Sequence, residues 1–245
     1  MNLIEILQEM PPVQWVVVTT LAIMSLSAFG VTISRLIAFG KSRGQSLAFV
    51  RFSGPLLEDE ALGKVIDGSA ETHYQMGYAT RIIRAGLEDA EDVLRVRGKL
   101  DDLSTVSSAM NRASDQEMAF LRRWTAIVAT VGASAPFVGL LGTVLGILAA
   151  FHSIQESGSA GLDAVAGDIG EALIVTALGL AVAIPATWMY NYFTTRLDDF
   201  TVRLEGVSSE MLDYLAKRAH KLTPEHFVRP ASPKRVQPTS SGVEA

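Results

Sequence analysis

Three windows of this chain are apolar almost without interruption, and the residues between them follow a different pattern. The first window runs from Val13 to about Ile37. The second is free of charge from Trp124 to Gln155 apart from the titratable His152, and the third from Ala172 to Thr195. A helix needs roughly 20 apolar residues, at about 1.5 Å each, to cross the hydrocarbon core of a bilayer. The pattern therefore predicts transmembrane helices over 13–37, 124–154 and 170–195. Pro11-Pro12 and Trp15 mark the start of the first. The second window is longer than one crossing requires, so its helix is expected to project beyond the membrane. The competing architecture is a large buried helical core, whose helices can also be apolar all round. Basic residues flanking each window on one side only argue against it.

The segments between the windows are helical in period, with no strand-like alternation, which makes the fold class all-α. In 38–123, helices are expected over Leu56–Ile66, Tyr78–Leu87 and Val93–Met118, with turns at Ser53-Gly54-Pro55 and Asp67-Gly68. No Pro or Gly lies between Lys99 and Arg123, so the pre-span helix is expected to run unbroken into the second span. From Phe193 at the end of the third span into a helix over 196–222, Phe193, Leu197, Phe200, Leu204, Val207, Met211 and Tyr214 recur at alternating steps of four and three, a heptad seam. It is expected to pack against the pre-span helix, with a contact between subunits as an addition. Pro224, Pro230, Pro233 and Pro238 among Ser and Thr predict a disordered tail over 223–245.

Charge gives these elements a direction. Of the 21 Lys and Arg residues, none precedes Arg35 and none lies between Trp124 and Thr195. Arg35, Lys41 and Arg43 follow the first span, Arg122 and Arg123 precede the second, and Arg196 and Arg203 follow the third. By the positive-inside rule these ends are cytoplasmic. The N-terminal residues 1–12 (Glu5, Glu9) and the loop 155–169, acidic from Glu156 to Asp168, are then periplasmic, and the C-terminus is inside. Acidic residues where a secretory signal carries basic ones argue against a cleaved signal peptide. A net charge of −5 disfavours nucleic acid as partner. The absence of Cys removes disulfides, thiolate nucleophiles and Cys-based metal sites.

Polar chemistry within the spans is sparse. The second span reads Gly132-Ala-Ser-Ala-Pro136-Phe-Val-Gly139-Leu-Leu-Gly142-Thr143-Val-Leu-Gly146. Gly142 and Gly146 form a small-xxx-small pair, extended by Gly139 and Ala135, of the kind that lets helices approach where lipid supplies no hydrophobic force between them. Gly179, Pro136 and Pro185 belong to the same packing pattern. Glu171 is a carboxylate at the edge of the third span, expensive in hydrocarbon and a functional candidate by default; an interfacial Glu wetted at the membrane surface is the plainer reading. Thr143 and Thr176, one per Gly-rich span, either bond their own helix carbonyls or line a polar path. No Asp or Glu lies at mid-depth in any span, so any mid-membrane proton carrier has to come from another protein.

These residues carry a resemblance. Ala135 to Gly146, followed by Phe151, resembles the second-span motif of the MotA/TolQ/ExbB proton channel family, with Phe137 and Val138 where Leu is common. Glu171-Ala-Leu173, Thr176 to Ala186 and Tyr190-Asn191 resemble its third-span motif, and Asn111-Arg-Ala113 with Glu117 to Leu121 its pre-span helix. Three spans with the N-terminus outside fit the ExbB/TolQ-like branch rather than MotA, which has four. The resemblance implies a pentameric ring in the inner membrane around a dimer of a single-span ExbD/TolR-like partner whose membrane Asp carries the proton. It implies that Thr143 and Thr176 line the pore and that Glu171 lies on the proton route. His152 matches no motif position. The implied function is a stator subunit that converts the proton gradient into work on the cell envelope, in TonB-type import, Tol-type envelope maintenance or gliding motility. A non-conducting membrane scaffold is the alternative. With no phosphate loop, nucleophile–base pair or metal cluster in the pattern, no enzyme, metal or cofactor is expected.

Overall fold

The computed structural model describes residues 12–157 and 162–229, and among them every regular element is helical. In chain order these are α1 (Pro12–Glu58), α2 (Leu62–Ser69), α3 (Tyr78–Arg97), α4 (Ser104–Arg122), α5 (Thr125–Ser157) and α6 (Leu162–Arg218), followed by a 3-10 turn (Pro224–Phe227). By length and composition, three stretches are able to cross a membrane; they lie in α1, in α4–α5 and in α6. The chain forms two compact units, Met1–Gly40 with Met118–Val202, and Lys41–Glu117 with Arg203–Ala245.

In the first unit Val17, Leu21, Val131, Ala135, Val175 and Ala183 are buried together, joining α1, α5 and α6. The outward sides are as apolar as the core. Leu26, Phe29, Phe137, Leu148 and Trp188 are each more than 60% exposed, a distribution that suits lipid or other apolar chains rather than water. Phe193 and Phe200 of α6 close on Phe39 of α1, with ring centroids 6.0 and 5.2 Å apart. The first part of the heptad seam therefore meets α1.

The pre-span helix is interrupted, contrary to the expectation from its sequence. α4 ends at Arg122, and Trp124 takes a left-handed φ of 71° before α5 begins. The cause is distant in sequence. In an unbroken helix the Phe120 carbonyl would accept the Trp124 N–H; here the buried Arg35 guanidinium donates to it at 3.1 Å. The Thr125 hydroxyl donates to the Arg122 carbonyl at 2.7 Å. Two side chains thus satisfy the last carbonyls of α4, and a cation suits the negative end of the helix dipole.

In the second unit the helix boundaries also depart from expectation. α1 continues through Ser53-Gly54-Pro55, and the Ser53 hydroxyl donates to the Val50 carbonyl at 3.3 Å. The helix ends instead at Glu58, and Glu60 just beyond it takes a φ of 55°. The Ala61 N–H reaches Leu56 O at 2.9 Å and the Glu60 N–H reaches Leu57 O at 3.3 Å, the paired bonds of a Schellman end. Asp67-Gly68 lies within α2, because Gly68 is a packing residue: a Cβ there would sit 2.3 Å from the Phe52 ring. The expected helix over Val93–Met118 is two helices, divided after Gly98 at φ 71°, and the Asp102 carboxylate accepts the Ser104 N–H at 2.8 Å where α4 begins. The loop expected over 155–169 is mostly helix end, since α5 reaches Ser157 and α6 starts at Leu162. Of the tail expected to be disordered from residue 223, residues 223–229 are anchored to this unit through Phe227, and the remainder lies outside the described residues. Phe227 is fully buried, the Val228 backbone fills the space over Gly63, and Arg229 pairs with the buried Glu91 at 3.1 Å. One apolar anchor outweighs a Pro-rich composition. Further along the seam, the Tyr214 hydroxyl donates to the Leu57 carbonyl of α1 at 2.7 Å.

Glu117 is buried in this unit and pairs with Arg81, whose side chain is 42% exposed. Burial pushes the Glu117 carboxyl up from the ordinary value of 4.5, against the pull of Arg81. The folded state therefore holds this proton to higher pH than the unfolded state does. The associated stability is present below the ordinary carboxylate value and is lost as pH rises through the raised one. Glu117→Gln is expected to flatten that part of the stability–pH curve, read as thermal midpoints from about pH 4 upward. Parallel curves for the two proteins would count against it.

Candidate functional site

The small residues of α5 face inward, onto helices of the same chain. A Cβ on Gly139 would lie 3.1 Å from the Cα atoms of Gly179 and Thr176 and from the Val175 carbonyl oxygen. One on Gly179 would lie 2.8 Å from the Ala135 carbonyl oxygen and 2.9 Å from the Gly139 Cα. At Gly142 the obstacles are Val175 at 2.4 Å and Val17 at 3.1 Å; at Gly146 they are the Gln14 amide nitrogen at 2.2 Å and Ala172 at 2.8 Å. These contacts stack in layers. Gln14, Gly146 and Ala172 form one, Val17, Gly142 and Val175 the next, and Gly139, Thr176 and Gly179 a third. Only residues without a Cβ permit backbone approach this close, and in lipid the dispersion contacts so gained are what hold helices together.

Pro136 and Pro185 lack the N–H that would reach four residues back, yet α5 and α6 continue through them. Pro136 is half-buried beside this seam. Pro185 is exposed and lines a shallow hollow with Phe29, Thr32 and Met189.

The candidate polar residues divide between the seam and its edges. Thr176 is on the seam, and its hydroxyl donates to the Gly139 carbonyl at 3.0 Å, a bond between two spans. Thr143 is buried and donates to the Leu140 carbonyl of its own helix at 2.7 Å. Each hydroxyl has placed its only hydrogen on a carbonyl, so toward any third group it can only accept. Glu171 is half-buried, immediately before Ala172 of the first layer, and His152 is exposed. The structure thus brings Gly139, Gly142, Gly146, Gly179 and Thr176 together, with Thr143 on the same helix and Glu171 at the end of the seam. Sequence reasoning missed Gln14 and Arg35. Gln14 was legible as the only amide in the first apolar window, and Arg35 only as a flanking charge.

The profile of the MotA/TolQ/ExbB proton channel family matches residues 76–206, which include α5 and every candidate site residue read from the sequence, but not Gln14. The chain is 33% identical over 207 residues to a biopolymer transport protein ExbB of Xanthomonas campestris pv. campestris (strain B100), covering 83% of this chain and 82% of that one. It is 30% identical over 162 residues to the ExbB of Pseudomonas putida, covering 66% and 49% of the two chains. Over a shorter stretch of 84 residues it is 46% identical to the ExbB of Neisseria gonorrhoeae, covering 34% and 38%. A helical chain with three span-length apolar stretches and a small-residue seam between them, matched in this way over more than half its length, belongs to the MotA/TolQ/ExbB proton channel family, on its ExbB/TolQ-like branch.

Proposed function

We propose that this chain is the ring subunit of a proton-driven stator in the bacterial inner membrane, working with a dimer of a single-span ExbD/TolR-like partner and assembled as a pentamer. The observation that carries the reading is the chemistry of the second and third spans. They offer hydroxyls at Thr143 and Thr176 and a carboxylate at Glu171, and no Asp or Glu between Ala172 and Thr195 or between Trp124 and Gln155. Hydroxyls that can only accept suit a carrier that arrives protonated, as a neutral carboxylic acid or a water that donates. An acid supplied by the partner completes such a path without a titrating group at mid-depth in this chain. One elementary charge crossing about 100 mV releases about 2.3 kcal/mol, so a few protons suffice to drive a conformational step in the partner. The ExbB names of the relatives favour a role in biopolymer transport across the envelope, with envelope maintenance and gliding as the other loads such a motor serves.

The test is proton uptake into vesicles that hold this chain with its partner; an assembled complex that conducts nothing would favour the scaffold reading. The proposed orientation has its own test. A reporter fused after Gly158 is expected to read periplasmic and one after Lys221 cytoplasmic, and the same compartment for both would end the three-span assignment.

A further inference from the structure

Gln14 is an amide where packing alone would select a hydrocarbon. It lies in the first apolar window, in the first described turn of α1, and is only 2% exposed. Its carbonyl Oε1 is buried and has no hydrogen-bond partner among the described residues. Burying an amide without a partner costs on the order of 1–3 kcal/mol by mutational measures, and a polar side chain kept inside a membrane is presumed functional. A Leu or Met would fill the same volume without that cost.

The place of this amide is specific. Gly146 makes room for it, since a Cβ there would meet the Gln14 Nε2 at 2.2 Å and Ala172 at 2.8 Å. Gln14 therefore sits between the second and third spans, in the layer that begins with Ala172, the residue following Glu171. One helical turn further along α5 and α6 lie Thr143 and Val175, and then the Thr176–Gly139 bond. The order of polar groups along the seam is Glu171 and Gln14 first, then Thr143, then Thr176. Gln14 shares the layer of Ala172, at the end of the seam next to Glu171 in sequence, and the small residue at 146 is what admits it.

We propose that Gln14 is a positioning residue of the proton path at the Glu171 end. Its free carbonyl accepts a hydrogen bond from a water molecule or from the protonated Glu171 carboxyl, holding that donor in line with the Thr143 layer. The amide itself neither gains nor loses a proton. This inference rests on the conducting reading above and deepens it by adding a residue from the first span, which otherwise contributes only packing.

The experiment uses the full chain with its partner in vesicles, with proton uptake measured across pH and assembly checked for each variant. Gln14→Leu is expected to lower uptake about tenfold, the effect of losing one hydrogen bond to a charged or protonated group, with the complex still assembled. Gln14→Glu keeps the shape and the acceptor, so uptake is expected to be retained. It also places a second carboxyl at the Glu171 end of the seam, and two carboxyls sharing a site resist ionising together. The pH profile of uptake is therefore expected to move to higher pH. The other titratable groups at this end are Asp168 of α6 and His152 of α5, both exposed, with Glu156 and Asp163 further along the same two helices in sequence, and α1 has none between Pro12 and Ser34. A purely structural amide would alter assembly or thermal stability but not the profile.

Full uptake by Gln14→Leu, or an unmoved profile in Gln14→Glu, overturns the proposal. If Gln14→Leu does not assemble, the Gln14→Glu profile decides alone. Loss of uptake in the unmodified complex would overturn the conducting reading itself, and this inference with it; uptake that survives in the unmodified chain and in Gln14→Leu alike removes only Gln14.

Discussion

Gly179→Val is expected to be among the most destabilising single substitutions in the membrane unit. The atoms it would displace are backbone, the Ala135 carbonyl oxygen at 2.8 Å and the Gly139 Cα at 2.9 Å, so no side-chain rotation relieves the overlap. The two helices have to separate, and the loss falls at or beyond the upper end of the roughly 1–3 kcal/mol typical of overpacking. Separation also opens the Thr176–Gly139 bond. Gly142→Leu is expected to cost less, because the obstacles there are the side-chain ends of Val175 and Val17. Gly206→Ala is the control. Nothing lies within 4 Å of its Cβ position, in the interior of α6, so the change should stabilise by about 0.5–1 kcal/mol through reduced freedom of the unfolded chain. Thermal midpoints of the purified protein in detergent are expected to fall in the order Gly206→Ala, wild type, Gly142→Leu, Gly179→Val. A wild-type midpoint for Gly179→Val would remove the seam as the source of stability.

The double variant Thr143→Val, Thr176→Val is expected to assemble with its partner and to lose proton uptake by at least about tenfold, again on the scale of lost hydrogen bonds to a protonated group. Valine keeps the branched shape and removes only the hydroxyl. The structural cost is modest, since a hydrogen bond between membrane helices is worth on average about 0.6 kcal/mol and the Thr143 bond stays within its own helix. The functional cost follows from removing two acceptors in adjacent layers. Glu171→Ala is expected to lower uptake as well. Glu171→Asp separates two roles: a mild effect means that charge at the end of the third span suffices, and a severe one means that the reach of the longer side chain matters. Full uptake by the double variant, with assembly intact, would take both Thr residues off the path and favour a scaffold.

What could be read from the sequence was set by local composition; what could not was set by partners far along the chain. The three apolar windows were legible because a hydrocarbon layer demands the exclusion of charge over roughly twenty residues and a water-soluble fold does not. The Gly139/Gly142/Gly146 pattern was legible as packing. Whether that pattern met its own chain or another was not, since periodicity names a face and never its partner. The break at Trp124 was hidden because its cause, the Arg35 bond to Phe120, spans 85 residues. The end of α1 at Glu58 was masked by a left-handed Glu60 where the usual sign is Gly, while Gly68 and Pro55 look like punctuation and are not. The start of the tail was misjudged through its prolines, which outnumber the single Phe227 that anchors it.

That the seam closes within one chain bears on inheritance. A chain whose seam fails unfolds before it meets other copies, and is removed without harming them; such alleles should be recessive beside a normal gene. A change on the outward faces of α5 and α6, at Phe137 or Leu173 for instance, leaves the chain folded and, in the proposed ring, able to join an assembly that it then spoils. Dominance therefore sorts the two faces of these helices, and a merodiploid strain carrying each class of allele would tell them apart without purifying the protein.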